Sequence, residues 1–145
     1  MVYYSMKKVI LYKSIFGSTK QYAHWLAEEL ESEFYKFSQL SDAELKEYDQ
    51  IIVMSATYAG WMPLTGFLQK KWSILKDKEV FVIAVGGVPA DDPASKLSYE
   101  KIPEEIRKKI KYAKIPGATP FAKAGKREQE IKKENLTKVL AELGW

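Results

Sequence analysis

The sequence predicts an α/β protein with three layers, a five-stranded and mainly parallel β-sheet covered by helices on both faces. Short apolar runs of strand length alternate along the chain with segments whose apolar residues recur at helical spacing. Alternation of this kind is typical of parallel sheets built from right-handed crossovers. With 145 residues, 46% of them hydrophobic and 29% charged, we expect residues 1–145 to form one domain.

Five segments have the composition of strands, and they lie at residues 8–12, 34–37, 51–54, 80–85 and 112–115. The third and fourth are apolar throughout, as expected for strands that are covered on both faces. Amphipathic patterns predict helices that begin near residues 18 and 63, and a closing helix over 136–143. Ile102, Ile106 and Ile110 stand one helical turn apart after the fourth strand, so a further helix is predicted there, with Pro103 in its first turn. A short helix is predicted around 41–48.

Composition excludes several classes of chemistry. The chain has no cysteine, which removes disulfides, thiolate zinc sites and iron–sulfur clusters, and which suits a cytoplasmic location. The N-terminal residues do not have the pattern of a signal peptide, and no apolar run approaches the ~20 residues of a membrane span. His24 is the only histidine, and no His/Asp/Glu cluster indicates a metal or a catalytic acid and base. We therefore expect neither metal nor catalytic residues.

The charge is concentrated in one segment. Residues 101–138 contain twelve Lys or Arg against five Glu, in a chain whose net charge is +4. Such a segment is either a solvated helix face or a surface for an acidic protein or an anionic membrane. It lacks interleaved aromatic residues and any nucleic-acid motif, so no nucleic acid is expected as a partner. We expect a monomer or a weak dimer.

The loop after the first strand has the features of a phosphate site, and it consists of Ser14, Ile15, Phe16, Gly17, Ser18 and Thr19. It leads directly into a predicted helix, whose first N–H groups have no partner within the helix and attract anions. Gly17 allows the backbone to approach the anion closely, and the hydroxyl groups can donate hydrogen bonds. The loop has neither the nucleoside-triphosphate pattern G-x-x-x-x-G-K-[ST] nor a dinucleotide G-x-G-x-x-G. A receiver domain is excluded because the first and third strands do not end in acidic residues.

Two more loops should lie at the same edge of the sheet, because the carboxyl ends of parallel strands meet there. The loop after the third strand is rich in small residues and contains two aromatic ones; its candidate binding residues are Ala56, Thr57, Tyr58, Ala59, Gly60 and Trp61. The loop after the fourth strand offers backbone donors and acceptors at Gly86, Gly87 and Val88. A phosphate site beside an aromatic side chain predicts a ligand with a phosphate and a planar ring.

The segment 12–23, with the form Tyr-x-Ser-x-x-Gly-Ser-Thr, resembles the FMN-phosphate motif of flavodoxins and the helix that follows it. It is most similar to the branch of flavodoxin domains that includes menaquinone-dependent protoporphyrinogen oxidases, as is the Ser-Ala-x-Tyr-x-x-Trp segment at 55–61. The resemblance implies a flavodoxin-like α/β/α sandwich with strand order 2-1-3-4-5. It also implies FMN as the cofactor, with its phosphate at 14–19 and its ring between 56–61 and 86–88.

Two functions follow from the resemblance. One is an electron carrier that exchanges electrons with redox partner proteins, in which the peptide beside Gly60 changes orientation to meet N5 of the reduced ring. The other is an FMN-dependent oxidoreductase that passes electrons from a porphyrinogen to a quinone, with peripheral membrane contact through the basic segment 101–138.

Overall fold

The computed structural model describes residues 6–14, 17–58, 60–87, 91–117 and 131–143. Each strand is followed by one or two helices along the chain. In chain order the elements are β1 (Lys8–Lys13), α1 (Ser18–Leu30), β2 (Glu33–Lys36), α2 (Asp42–Leu45), β3 (Gln50–Ala56), α3 (Pro63–Leu75), β4 (Glu79–Gly86), α4 (Pro93–Glu100), α5 (Glu104–Arg107), β5 (Lys111–Pro116) and α6 (Lys133–Leu143).

The five strands form one parallel sheet with the order 2-1-3-4-5, as predicted. Leu11 of β1 pairs with Val53 of β3, which pairs in turn with Val82 of β4. All three are buried, because these central strands are covered on both faces. The last residues of the strands lie side by side, and we call this side of the sheet the carboxyl edge.

Two apolar clusters hold the helices to the sheet. On one face α1 and α6 pack on the strands, with Leu26 and Val139 in the cluster. On the other face the cluster includes Leu45 of α2, Leu68 of α3 and Ile106 of α5. The sheet is thus the middle of three layers, which confirms the predicted fold class.

The helix predicted around Ile102, Ile106 and Ile110 is confirmed in part, as the short helix α5, with Pro103 as its N-cap rather than in its first turn. The longer helix in this region is α4, and only residues 104–107 of the predicted segment are helical. Asp92 caps α4 by accepting a hydrogen bond from Ala94 N at 2.9 Å. The buried side chains of α4 are Ser95 and Ser98, whereas Leu97 is exposed, so this helix has no apolar stripe to predict it.

The helices in the described part of the chain are all too short or too polar to cross a membrane. Residues 118–126, whose composition is typical of a loop, lie outside the described residues.

Candidate functional site

The first loop at the carboxyl edge ends in a left-handed glycine. Gly17 has φ +91°, a conformation that L side chains rarely adopt, and it precedes the first residue of α1. Its N–H donates a hydrogen bond to Ser14 Oγ at 3.1 Å, so the first residue of the loop is joined to the residue that precedes the helix. A Cβ at Gly17 would meet nothing within 4 Å, so the position calls for glycine because of its φ and not because of crowding.

The start of α1 fits an anion. Within the described residues no side chain caps this helix, and its first turn has no acidic residue. Ser18 and Thr19 are buried there, and Ser18 Oγ is a buried atom with no hydrogen-bond partner among the described residues. A buried hydroxyl without a partner is costly, and a phosphate oxygen at the helix terminus would satisfy it.

The second loop is closed by its own backbone. Tyr58 N donates to Trp61 O at 2.7 Å and Trp61 N donates to Tyr58 O at 3.0 Å. Gly60 turns the chain between them with φ +95°. At the base of the loop, the buried Ser55 Oγ accepts a hydrogen bond from Leu64 N of α3 at 3.2 Å. These bonds fix the backbone of the two aromatic residues, whose ring centroids are 5.3 Å apart.

Trp61 presents its ring to solvent, with 51% of the residue exposed, although its backbone is held by Tyr58. Tyr58 is half-buried, and burial raises the pKa of its phenol above the ordinary value. The exposed Leu97 of α4 lies against Gly60, with its Cδ2 2.9 Å from the point that a Cβ would occupy. An exposed indole on a fixed loop is a suitable surface for a planar ring.

The third loop joins the second through Thr57 and Gly86. Thr57 N donates to Val85 O at 2.9 Å, and Thr57 Oγ1 lies where a Cβ on Gly86 would stand. The position that a Cβ on Gly86 would occupy is also 3.3 Å from Lys114 Nζ. Lys114 Nζ in turn donates a hydrogen bond to Ser95 Oγ. Burial lowers the pKa of Lys114, while Asp92 nearby acts in the opposite direction. Neither Lys114 nor Ser95 was predicted, because a lysine in a strand and a serine in an unrecognised helix look ordinary in sequence.

The predicted site residues that the structure describes all lie at the carboxyl edge. Lys13, the residue before Ser14, pairs with Ser55 at the end of β3, and Ala56 pairs with Val85 near the end of β4. The structure therefore brings together the first, second and third loops, represented by Ser14, Gly17, Ser18, Thr19, Ala56, Thr57, Tyr58, Gly60, Trp61, Gly86 and Gly87. The predicted residues Ile15, Phe16, Ala59 and Val88 lie outside the described residues.

Two clefts give further geometry. A cleft of about 260 Å³ lies at the carboxyl edge between β1 and β2, and it is lined by Tyr12, Lys13, Ser14, Lys36, Phe37 and Ser38. A larger one, of about 560 Å³, lies at the opposite edge of the sheet beside Met6, Lys46 and Asp49, and none of the predicted site residues lines it. In the described ranges, no group of three His, Asp or Glu side chains could hold a metal ion.

Comparison with known proteins agrees with this geometry. The model of a family described as flavodoxin domain matches residues 9–124. A flavodoxin from the domain Archaea superposes with a TM-score of 0.59 at 21% identity, over 97% of this chain and 100% of that one. Oxidised flavodoxin 2 from Bacillus cereus superposes with a TM-score of 0.56 at 18% identity, over 93% of this chain and 99% of that one. A flavoprotein in complex with FMN from Lactobacillus acidophilus superposes with a TM-score of 0.55 at 16% identity, over 77% of this chain and 93% of that one. A search of curated protein sequences found no match.

Proposed function

Because the chain belongs to the family of flavodoxin domains, we propose that it binds one FMN at the carboxyl edge and carries electrons between redox partners. The observation that carries this proposal is the buried Ser18 Oγ, which has no partner among the described residues and lies at an uncapped helix start. The structural neighbour in complex with FMN supports the choice of ligand.

In this proposal the first loop binds the phosphate. Ser14, Ser18 and Thr19 donate their hydroxyl hydrogens to phosphate oxygens, together with the free N–H groups of the first turn of α1. Ile15, Phe16 and Gly17 complete the loop. No cationic side chain is required, because the helix terminus already favours a negative charge.

The second and third loops hold the ring. The indole of Trp61 covers one face, and the backbone from Ala56 to Gly60 lies along it. Gly86, Gly87 and Val88 bound the remaining edge. The flavin supplies reversible electron transfer, and the protein sets its potential through ring contacts, hydrogen bonds and nearby charge.

A second candidate is an FMN-dependent oxidoreductase of the menaquinone-dependent protoporphyrinogen oxidase type. Lys13 and Lys36 favour it, since both are exposed at the ends of β1 and β2 and line the 260 Å³ cleft, where they suit a substrate that carries carboxylates. For this candidate the basic segment 101–138 is the proposed membrane contact, and a quinone is the electron acceptor. For both candidates the proposed location is the cytoplasm.

The test is the visible spectrum of the purified protein, followed by identification of the released flavin. Stoichiometric FMN that is reduced and reoxidised by partner proteins supports the carrier. Turnover of protoporphyrinogen with menaquinone, above the rate with free FMN, supports the oxidoreductase instead. Protein that stays colourless when FMN is supplied in excess rejects both.

A further inference from the structure

The carboxyl edge contains a lysine that the phosphate site does not use. Lys114 lies on the edge strand β5, in register with Ala84 of β4, and its side chain extends over the end of β4. Its Cε and Nζ are 3.2 and 3.3 Å from the point where a Cβ on Gly86 would stand. The ammonium group thus lies against the residue where the third loop begins.

Within the described residues, the groups around the Lys114 ammonium hold it in place without forming an ion pair with it. Ser95 Oγ, on a residue that is only 4% exposed, accepts a hydrogen bond from Lys114 Nζ. Asp92 is close enough to act on the charge, but its Oδ1 accepts a hydrogen bond from Ala94 N, and the described residues include no ion pair with Lys114. The carboxylate of Asp92 offsets only part of the cost of burying this ammonium group, so further negative charge nearby would be favourable.

The position of this charge relates it to the ring and not to the phosphate. Thr57 Oγ1 and Lys114 Nζ approach Gly86 together, and both Thr57 and Gly86 belong to the proposed ring site. The phosphate loop follows β1, which is separated from β5 by β3 and β4 in the sheet.

From this arrangement, which rests on the proposed function, we propose that Lys114 raises the redox potential of the bound FMN. Two-electron reduction with uptake of one proton leaves the ring with a single negative charge, whereas the oxidised ring is neutral. A fixed positive charge beside the ring therefore stabilises the reduced form more than the oxidised form. Asp92 and Ser95 act as positioning residues that hold the ammonium group at Gly86.

The test compares the wild-type protein with Lys114→Met, Lys114→Gln and Lys114→Arg, all loaded with FMN. The control is Lys109→Met, which removes an exposed lysine that precedes β5, at the opposite edge of the sheet. The dissociation constant of oxidised FMN is measured by fluorescence quenching and the two-electron potential by titration. Circular dichroism checks that each variant is folded. If Lys114→Met does not fold, Lys114→Gln serves as the neutral variant.

We expect the two neutral variants to change the dissociation constant of oxidised FMN by less than about threefold. Their binding of reduced FMN relative to oxidised FMN should weaken at least tenfold, which lowers the potential by about 30 mV. The Arg variant and the control should keep the wild-type potential. An unchanged potential in both neutral variants, or an equal fall in the Arg variant, overturns the role of Lys114 while FMN binding stands. A wild-type protein that binds no FMN overturns this inference and the proposed function together.

Discussion

Gly17 N donates a hydrogen bond to Ser14 Oγ over 3.1 Å, and this bond joins the end of β1 to the start of α1. The next residue, Ser18, buries a hydroxyl that has no partner among the described residues. The two serines therefore differ in role. Ser14 Oγ supports the loop as an acceptor and keeps its hydrogen for the phosphate, whereas the Ser18 hydroxyl has no partner among the described residues and is left entirely for a ligand.

Ser18→Ala should weaken FMN binding without destabilising the apoprotein. A hydrogen bond to a charged group contributes about 1.5–3 kcal/mol, so the dissociation constant should rise about 10- to 150-fold. The apoprotein should be equally or more stable, because the variant removes a buried hydroxyl that lacks a partner. Urea denaturation and FMN titration measure the two effects.

The matched control for this serine is Ser73→Ala, which removes an exposed hydroxyl on α3. This variant should change neither the dissociation constant of FMN nor the stability of the apoprotein. FMN affinity in Ser18→Ala that equals the wild-type value would contradict the phosphate site.

Gly60→Val should destabilise the protein for two separable reasons. The new Cβ would stand 2.9 Å from Leu97 Cδ2, and valine is strained at φ +95°. In a Leu97→Ala background only the backbone strain, about 1–3 kcal/mol, should remain. Thermal denaturation of the single and double variants measures the difference, and equal costs in both backgrounds would rule out the contact with Leu97.

The same variant should alter the electron transfer steps. If the peptide beside Gly60 changes orientation on reduction, valine will oppose that change, because glycine alone adopts such conformations at little cost. We expect the two one-electron potentials of FMN to differ between Gly60→Val and the wild type. Identical potentials in a redox titration would show that this peptide plays no part.

Tyr22→Phe should reduce the free energy of unfolding by about 1–3 kcal/mol, since it removes two hydrogen bonds that contribute about 0.5–1.5 kcal/mol each. Tyr22 OH donates to Pro116 O at 2.6 Å and accepts from Asn135 Nδ2 at 2.8 Å, so it links α1, β5 and α6. Tyr99→Phe is the control, and it should change stability by less than about 0.5 kcal/mol, since it keeps the ring that packs on Tyr112. Chemical denaturation measures both variants. Equal losses in the free energy of unfolding would contradict the proposal that Tyr22 links the three elements.

Glu33→Gln should lower stability at pH 7 and have a smaller effect near pH 3. Hydrogen bonds from the hydroxyl groups of Tyr48, at 2.7 Å, and Tyr35, at 3.0 Å, hold the pKa of Glu33 below its usual 4.5. The folded state therefore favours the carboxylate, and the stabilisation is present above pH 4.5 and lost as the pH falls through the folded pKa. Urea denaturation at both pH values checks this, with Glu29→Gln, an exposed residue of α1, as the control. If Glu33→Gln lowers the free energy of unfolding equally at both pH values, the charge of the Glu33 carboxylate is not the cause of the loss.

The parts of the fold that the sequence predicted are those with a strong apolar pattern. β3 and β4 are buried on both faces, so nearly every residue in them is apolar, and α1 and α3 each have one apolar face. The phosphate loop was predicted for a similar reason, since Gly17 and the hydroxyl residues around it follow β1 directly in the chain.

The sequence did not predict helix α4 or the surroundings of Lys114, because both depend on contacts between distant segments of the chain. Its buried face consists of small serines, which hydrophobic periodicity does not detect. The neighbours of Lys114 come from α4 and from the ends of β3 and β4, and only the parallel pairing of β4 with β5 places them together.

Amino-acid order alone determined the layered α/β architecture and the loop with a phosphate motif, because both follow from the local spacing of apolar, glycine and hydroxyl residues. Tertiary structure decided that the hydroxyl of Ser18 lacks a partner among the described residues, that the ring of Trp61 is exposed and that Lys114 approaches the third loop. These properties depend on burial and on distances across the sheet, which arise only when segments far apart in the chain pack against one another.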